Sequence, residues 1–347
     1  MESDKSNAEL LDSWPSYEES LEEWHKRSDE RRWFSAWIEN DFTTDVLKKI
    51  TLPVNEDGLR HLDVGSGEGK ACCELLEVTL KQHPKVVCRS VEPMAGEQQK
   101  FKDLVKERDL GGVTFEFVEQ TTEEYEKRPN VAADKKFHLI TLLQMIIVVD
   151  DIEKTIMHYH DNEMEKGSVM VITLAADETP TRLCEPIVAE LQKVQLKFSA
   201  DVRQVLERNH LNYTQKLIPY RIDVTNCFDD SSRQGELLLE MVTIVPEFGK
   251  RAGSDVKKKV LDVLESCSKT ENDKIYATFG FDIPLPKDIA LADDRMKKKY
   301  YGNNVKVFLH QWREGNDHNR SKVKTLEVSY PERRKQRERN RFSASSF

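Results

Sequence analysis

Arg60 to Leu76 reads RHLDVGSGEGKACCELL. A short apolar run ends in glycines at 65, 67 and 69, and apolar residues then recur at helical spacing. A buried strand must therefore hand over directly to a helix through a tight turn. Glycine permits such a turn and lets a ligand approach the main chain closely. By itself the turn is equally compatible with a purely structural role.

The same hand-over repeats downstream. Arg60–Val64, Val86–Val91, Val113–Val118, Phe137–Leu143 and Gly167–Ala175 read as strands, and Lys70–Gln82, Gly96–Asp109 and Asp151 to about Met164 as helices. Strand–helix alternation predicts an α/β fold: a mostly parallel sheet with helices on both faces. Upstream, Tyr17, Leu21, Trp24, Phe34, Trp37 and Ile38 recur among charges, which predicts two amphipathic helices broken around Arg27–Asp29. Beyond Pro180, helical patterns at 181–194, 200–208, 235–247 and 253–267 surround the segment 215–225, and VKVFLHQW (305–312) reads as a strand able to close the sheet. The chain thus divides into a helical lid (1–50), a cofactor-binding core (51–180), a helical insert that completes the sheet (181–325) and a basic tail without an apolar face (326–347).

A partner for the glycine turn lies at the end of the second strand, where RSVEP places Glu92 27 residues after Gly65. A carboxylate there accepts hydrogen bonds from both hydroxyls of a ribose, because strands 1 and 2 are neighbours in such sheets. The dinucleotide spacing G-x-G-x-x-G would need glycine at 70, where Lys70 stands. The turn (Gly65, Ser66, Gly67) and Glu92 together point to S-adenosylmethionine more than to NAD. Thr121 or Thr122 after strand 3 would reach the adenine region, and the end of strand 4, LLQM with Leu143, would lie under the methionine moiety.

Composition narrows the classes further. A net charge of −9 argues against a general nucleic-acid binder. No apolar run approaches the roughly 18 residues of a membrane span, and the polar N-terminus has no signal-peptide core. Six cysteines at 72, 73, 88, 184, 227 and 267 form no Cys-x-x-Cys pair. They read as reduced, buried thiols of a cytoplasmic protein, and no metal site is expected.

Separated blocks of the chain resemble the histamine N-methyltransferase family: SYEESLEEW with SDE (16–30), the glycine turn, SVEPMAGEQQKFKDLV (90–105), LLQMIIVVDDIEKT, RIDVTNCFDDSSRQGELLLEM (221–241) and YYGNNVKVF (300–308). The resemblance spans about 17–310. It implies a Rossmann-like class I methyltransferase fold with a seven-stranded sheet, and a monomer. It also implies Gly65, Glu92, Thr122 and Leu143 around the cofactor, with Glu97 standing where the family has glutamine. On the acceptor side it implies polar anchors at Glu30, Gln144 and Asn304, with Tyr17 at a pocket position. The family's aromatic pocket wall is replaced by Ile147, Val148, Pro180, Cys184 and Met241. A flat imidazole would lose stacking surface there, so the expected acceptor is a small amine or imidazole compound other than histamine.

Two other classes compete. Asp150, Asp151, Asp177 and Glu178 follow strands 4 and 5, as magnesium ligands of an O-methyltransferase would, although capping of the next helices is the favoured account of them. A non-catalytic cofactor-binding protein is the other. Nucleic-acid methylation is disfavoured, because strand 4 ends in LLQM without the proline-aromatic run that grips a flipped base.

Overall fold

The computed structural model describes residues 14–52, 58–128, 135–192, 195–284 and 310–311. The chain divides into two compact units, Met1–Arg313 and Glu314–Phe347, and the described residues all lie in the first.

Five strands form the parallel part of the sheet: β1 (Leu59–Val64), β2 (Val86–Val91), β3 (Val113–Val118), β4 (Phe137–Leu143) and β5 (Met164–Ala175). Antiparallel strands follow: β6 (Gln215–Asp223), β7 (Ser268–Glu271), β8 (Lys274–Pro284) and β9 (His310–Gln311). The order is β3-β2-β1-β4-β5-β8-β6, with β7 on β8 and β9 on β5. The central sheet is mostly parallel as expected, but the expected seven strands are corrected: among the described residues there are nine, five of them in parallel pairing. Of the expected closing strand at 305–312, His310–Gln311 form β9 against β5 and the remaining positions lie outside the described residues; β8, which was not expected, carries the sheet from β5 to β6. KIYATFGFDIP alternates imperfectly around Gly280, which hides it from a period-two reading.

All six residues of β1 are buried, as a strand covered on both faces requires. Leu59 and Leu139 pack with Cys72, Leu75 and Leu76 of α3 (Lys70–Leu80) and with Phe101 of α4 (Ala95–Glu107). Leu62, Val64, Ile140 and Leu142 pack on the opposite face with α6 (Ile152–His158) and α8 (Ser199–Arg208). The helix expected to run to Met164 ends at His158, passes through a π-helical turn (Tyr159–Glu163) and gives way to β5. Ser16–Ile50 forms α1 (Tyr17–Arg27) and α2 (Glu30–Asn40), with the break where expected. The first helix packs on α9 (Arg233–Thr243), where Trp14 and Ser16 donate to the buried Glu240 carboxylate. The second packs on β6 and α3, and Asp29 N–H donates to Arg221 O at 3.0 Å.

Strand order runs from β1 to β2 and β3 on one side and from β4 to β5 on the other, so the connections leave the β1 and β4 carboxyl ends in opposite directions; the crevice there is the usual ligand position in open α/β sheets. Gly69 caps α3 there at φ +74°, and a Cβ on it would lie 2.0 Å from the Phe101 ring. That ring is fully buried between Phe115 and Phe117. Gly69→Ala is therefore expected to destabilise the protein by about 2–4 kcal/mol, from left-handed strain plus overpacking, measured as a lower denaturant midpoint.

Candidate functional site

The turn after β1 is shaped by contacts rather than by looseness. Gly65 has φ +69°, and a Cβ there would fall 2.6 Å from Met145 Cβ. Gly65 N–H donates to Val91 O at 2.8 Å, which ties the turn to β2. The Ser66 hydroxyl is 2.7 Å from that of Ser90. Glu92 ends β2 with its carboxylate against the turn: Oε2 accepts from Gly67 N–H at 2.9 Å and Oε1 from Met94 N–H at 3.0 Å. Burial raises the Glu92 pKa, and the two amide donors oppose it. Main-chain donors fix the carboxylate, which retains free lone pairs for a diol.

Beside the turn lies a cavity of about 190 Å³. Gly65, Ser66 and Asp63 line it from β1 and its turn, Ala71 and Cys72 from α3, Leu143 and Gln144 from the end of β4, and Thr173 from β5; His25, Glu30, Arg31 and Phe34 come from α1 and α2. Five expected residues, Glu30, Gly65, Ser66, Leu143 and Gln144, thus share one cavity wall. Gln144 has φ +59°, strained for a residue with a side chain. Its N–H donates to Thr173 O and Oγ1, both at 3.0 Å, which holds that conformation.

Glu30 sits at the first turn of α2, and Trp24 Nε1–H donates to its Oε2 at 2.8 Å. Burial pushes the Glu30 carboxyl up to about 7, although the Trp24 donor and Arg31 both favour the charged form. Asp63 is buried as well and is pushed up to about 6, with the Thr141 hydroxyl among the groups opposing that rise. Behind Glu30 stand aromatic rings: Trp24 meets Phe279 edge-on at 5.1 Å, and Phe279 stacks on Tyr220 at 5.8 Å.

The other expected residues lie elsewhere. Thr122 opens α5 (Thr122–Glu126), whose cap is the Thr121 hydroxyl. Glu97 on α4 pairs with Lys100. Tyr17 opens α1, its ring 5.5 Å from Trp14, and burial raises its hydroxyl pKa, with Glu97 adding to that rise. Pro180 and Cys184 belong to α7 (Pro180–Val188) and are buried. Cys184 packs in the same core cluster as Trp24 and Tyr220, and Met241 packs against that cluster. Ile147 and Val148 form a 3₁₀ turn after β4, with Ile147 against the core. Asn304 lies outside the described residues. Trp24, His25, Arg31, Phe34, Asp63 and Thr173 were not anticipated. Only Asp63 carried a signal, as the acid two residues before Gly65.

Two of the acids weighed as magnesium ligands are capping groups. Asp151 accepts from Lys154 N–H at 2.9 Å, and Asp177 accepts from Ser199 Oγ and Ala200 N–H at 3.0 Å and pairs with Arg203. Among the described residues the one grouping with metal-ligand spacing is His61, Cys72 and Cys88, fully buried in the core. Among those residues, no helix is long and apolar enough to cross a membrane.

Trp24→Phe keeps the ring against Phe279 but removes the N–H that favours the Glu30 carboxylate. The expected result is an alkaline displacement of any pH profile governed by Glu30, read from catalytic rate or ligand binding against pH.

No protein-family profile matches the chain. In fold, it overlaps the YcgJ protein from Bacillus subtilis (TM-score 0.44, 14% identity, 74% of this chain and 99% of that one). It likewise overlaps a putative methyltransferase from Bacillus halodurans (TM-score 0.45, 13% identity, 70% and 97%). In sequence it is 26% identical to histamine N-methyltransferase of Xenopus tropicalis, again over 77% of this chain and 93% of the relative, and 26% identical to that of Mus musculus over 60% and 73%. The Danio rerio enzyme is 28% identical over 275 residues, 77% of this chain and 93% of its own. By sequence, the chain is histamine N-methyltransferase-like.

Proposed function

We propose that the protein is an S-adenosylmethionine-dependent N-methyltransferase whose acceptor is a nitrogen of a small amine or imidazole compound. The observation that carries this reading is the shared cavity, in which Glu30 and Gln144 meet the glycine turn. The relatives' names support the reaction class. The residues fit the cofactor: Glu92 offers fixed lone pairs for a ribose diol, and the turn packs too closely on Met145 to accept a side chain at 65. Gly65, Ser66, Gly67, Glu92 and Leu143 would hold it, with Thr122 and Glu97 at its adenosine side.

When bound, S-adenosylmethionine would supply a sulfonium methyl that a nitrogen lone pair attacks in line, the methyl–sulfur bond breaking to release the neutral thioether S-adenosylhomocysteine. The chain's own contribution is orientation and exclusion of water. An imidazole, with a pKa of about 6.5, offers a free lone pair at neutral pH, whereas an alkylamine near 10 must first lose a proton. Glu30 as carboxylate accepts an N–H of the acceptor and turns the other nitrogen toward the turn. Gln144, locked by Thr173, is a second polar clamp, and Asn304 a third anchor for a distal polar group. The helices of residues 1–50 act as a lid, since they contribute His25, Glu30, Arg31 and Phe34 to the wall. Trp24, Tyr220 and Phe279 stiffen the Glu30 side in place of the aromatic residues absent at 147, 148, 180, 184 and 241. The departures from the family pattern at those five positions support an acceptor other than histamine.

The test is transfer of labelled methyl from S-adenosylmethionine into a panel of small imidazoles and amines, with catechols as oxygen acceptors. Label in a nitrogen compound supports the reading; label confined to catechols overturns it.

A further inference from the structure

Arg31 is the second residue of α2, immediately after Glu30, and faces the same cavity. Its guanidinium donates to Glu68 Oε1 at 2.8 Å, and Glu68 belongs to the glycine turn. Lys70, the first residue of α3, pairs with that same oxygen. Two cations therefore share one carboxylate. Burial works to raise the Glu68 pKa, but Lys70 and Arg31 outweigh it and hold the carboxyl below its usual range. His25 adds no charge, since burial and then Arg31 lower its pKa. The cluster keeps an excess of one positive charge next to the turn.

The same cavity carries the Asp63 carboxyl. A wall with a carboxyl and a guanidinium that shares its one carboxylate partner with Lys70 matches a zwitterion. The amino-acid end of the cofactor is one, with an ammonium and a carboxylate on a single carbon. We propose that Arg31 holds the cofactor's carboxylate, giving up Glu68 to do so; the inference rests on the cofactor reading above.

The exchange is cheap. Arg31 and Glu68 are 51% and 32% exposed at their side chains, and ion pairs this open contribute little to stability. Guanidinium matches a carboxylate with two parallel N–H donors, which an ammonium at the same place does not. Glu68 remains satisfied by Lys70. Because Glu30 and Arg31 are consecutive, the same helix end then meets acceptor and cofactor together.

Calorimetry with two ligands tests this: S-adenosylhomocysteine, and the same thioether with an aminopropyl chain in place of the amino-acid chain, so that only the carboxylate is missing. The wild-type protein is expected to bind the decarboxylated ligand about 10- to 30-fold more weakly, the effect of one charge-assisted contact. Arg31→Gln is expected to lose that same factor with S-adenosylhomocysteine and nothing further with the decarboxylated ligand. Glu68→Gln, which removes the competitor, is expected to bind S-adenosylhomocysteine at least as tightly as wild type. Equal losses for both ligands in Arg31→Gln would make Arg31 a structural residue of the lid and overturn the proposal. So would unchanged binding in that variant, or wild-type binding indifferent to the carboxylate. Wild-type protein that binds neither ligand would instead overturn the cofactor reading, and the proposal with it.

Discussion

Glu30→Gln is expected to lower kcat/KM by about 10²–10³-fold and, at pH 8, to make the protein more stable. The first effect follows from removing one partner of a buried, charged hydrogen bond to the acceptor. The second follows from linkage. Burial raises the folded-state pKa of Glu30 from 4.5 to about 7. Between those values the folded protein holds a proton that the unfolded chain has released, so stability falls as pH rises through that window. Above it the full cost applies, up to about 3 kcal/mol. Glutamine keeps the shape without the charge and removes that cost at pH 8, while at pH 4 it changes little. Thermal melts of the two proteins across pH 4–8 would show curves that meet at the acid end and part toward neutrality. For activity the sign is opposite: the carboxylate accepts an N–H through a charge-assisted bond stronger than the neutral acid's, so kcat/KM of the wild type is expected to climb between about pH 6 and 8. The variant's residual rate should lack that rise. A variant as active as wild type would remove Glu30 from the acceptor site.

Glu92→Ala is expected to weaken S-adenosylmethionine binding by about 30- to 100-fold, as loss of charge-assisted bonds to two hydroxyls implies. Its other role complicates the alanine variant, because Gly67 and Met94 amides lose their acceptor and the turn loosens. Glu92→Gln separates the two roles, since one carbonyl oxygen can still serve an amide while the second acceptor is gone. Calorimetry with S-adenosylmethionine and with its 2′-deoxyribose analogue reads this. The deoxy ligand is expected to lose affinity against wild type but to lose less against either variant. Equal penalties in all three proteins would place the ribose elsewhere.

Much of this architecture was legible from local pattern, and the reasons differ by element. Strands β1 to β4 read correctly to within a residue: β1 and β4 are covered on both faces, so their apolar runs are continuous, while VTFEFV of β3 shows the period-two alternation of a half-exposed strand. The break between α1 and α2 was visible in the charge run around Arg27–Asp29. Strand β8 escaped because it pairs with sequence-distant β5 and β6, and Gly280, whose Cβ would meet Leu217 at 2.6 Å, interrupts its alternation. In the site, Gly65 and Glu92 declared themselves by spacing, but His25, Arg31 and Thr173 did not. Their part in the cavity arises from a lid helix and a fifth strand meeting β1 in space, and no short spacing encodes that encounter. The rings behind Glu30 show the same limit: Tyr220 and Phe279 reach Trp24 from strands far along the chain, and no local pattern places them there.

The central claim is that a methyl group leaves this cavity bonded to nitrogen. The most direct measurement is the carbon–proton NMR spectrum of the product formed from ¹³C-methyl S-adenosylmethionine, the purified protein and the acceptor that takes up label. An N-methyl resonance, present with wild type and absent with Glu30→Gln, is the expected result. An O-methyl resonance, or tight cofactor binding with no labelled product from any amine or imidazole, would contradict the account.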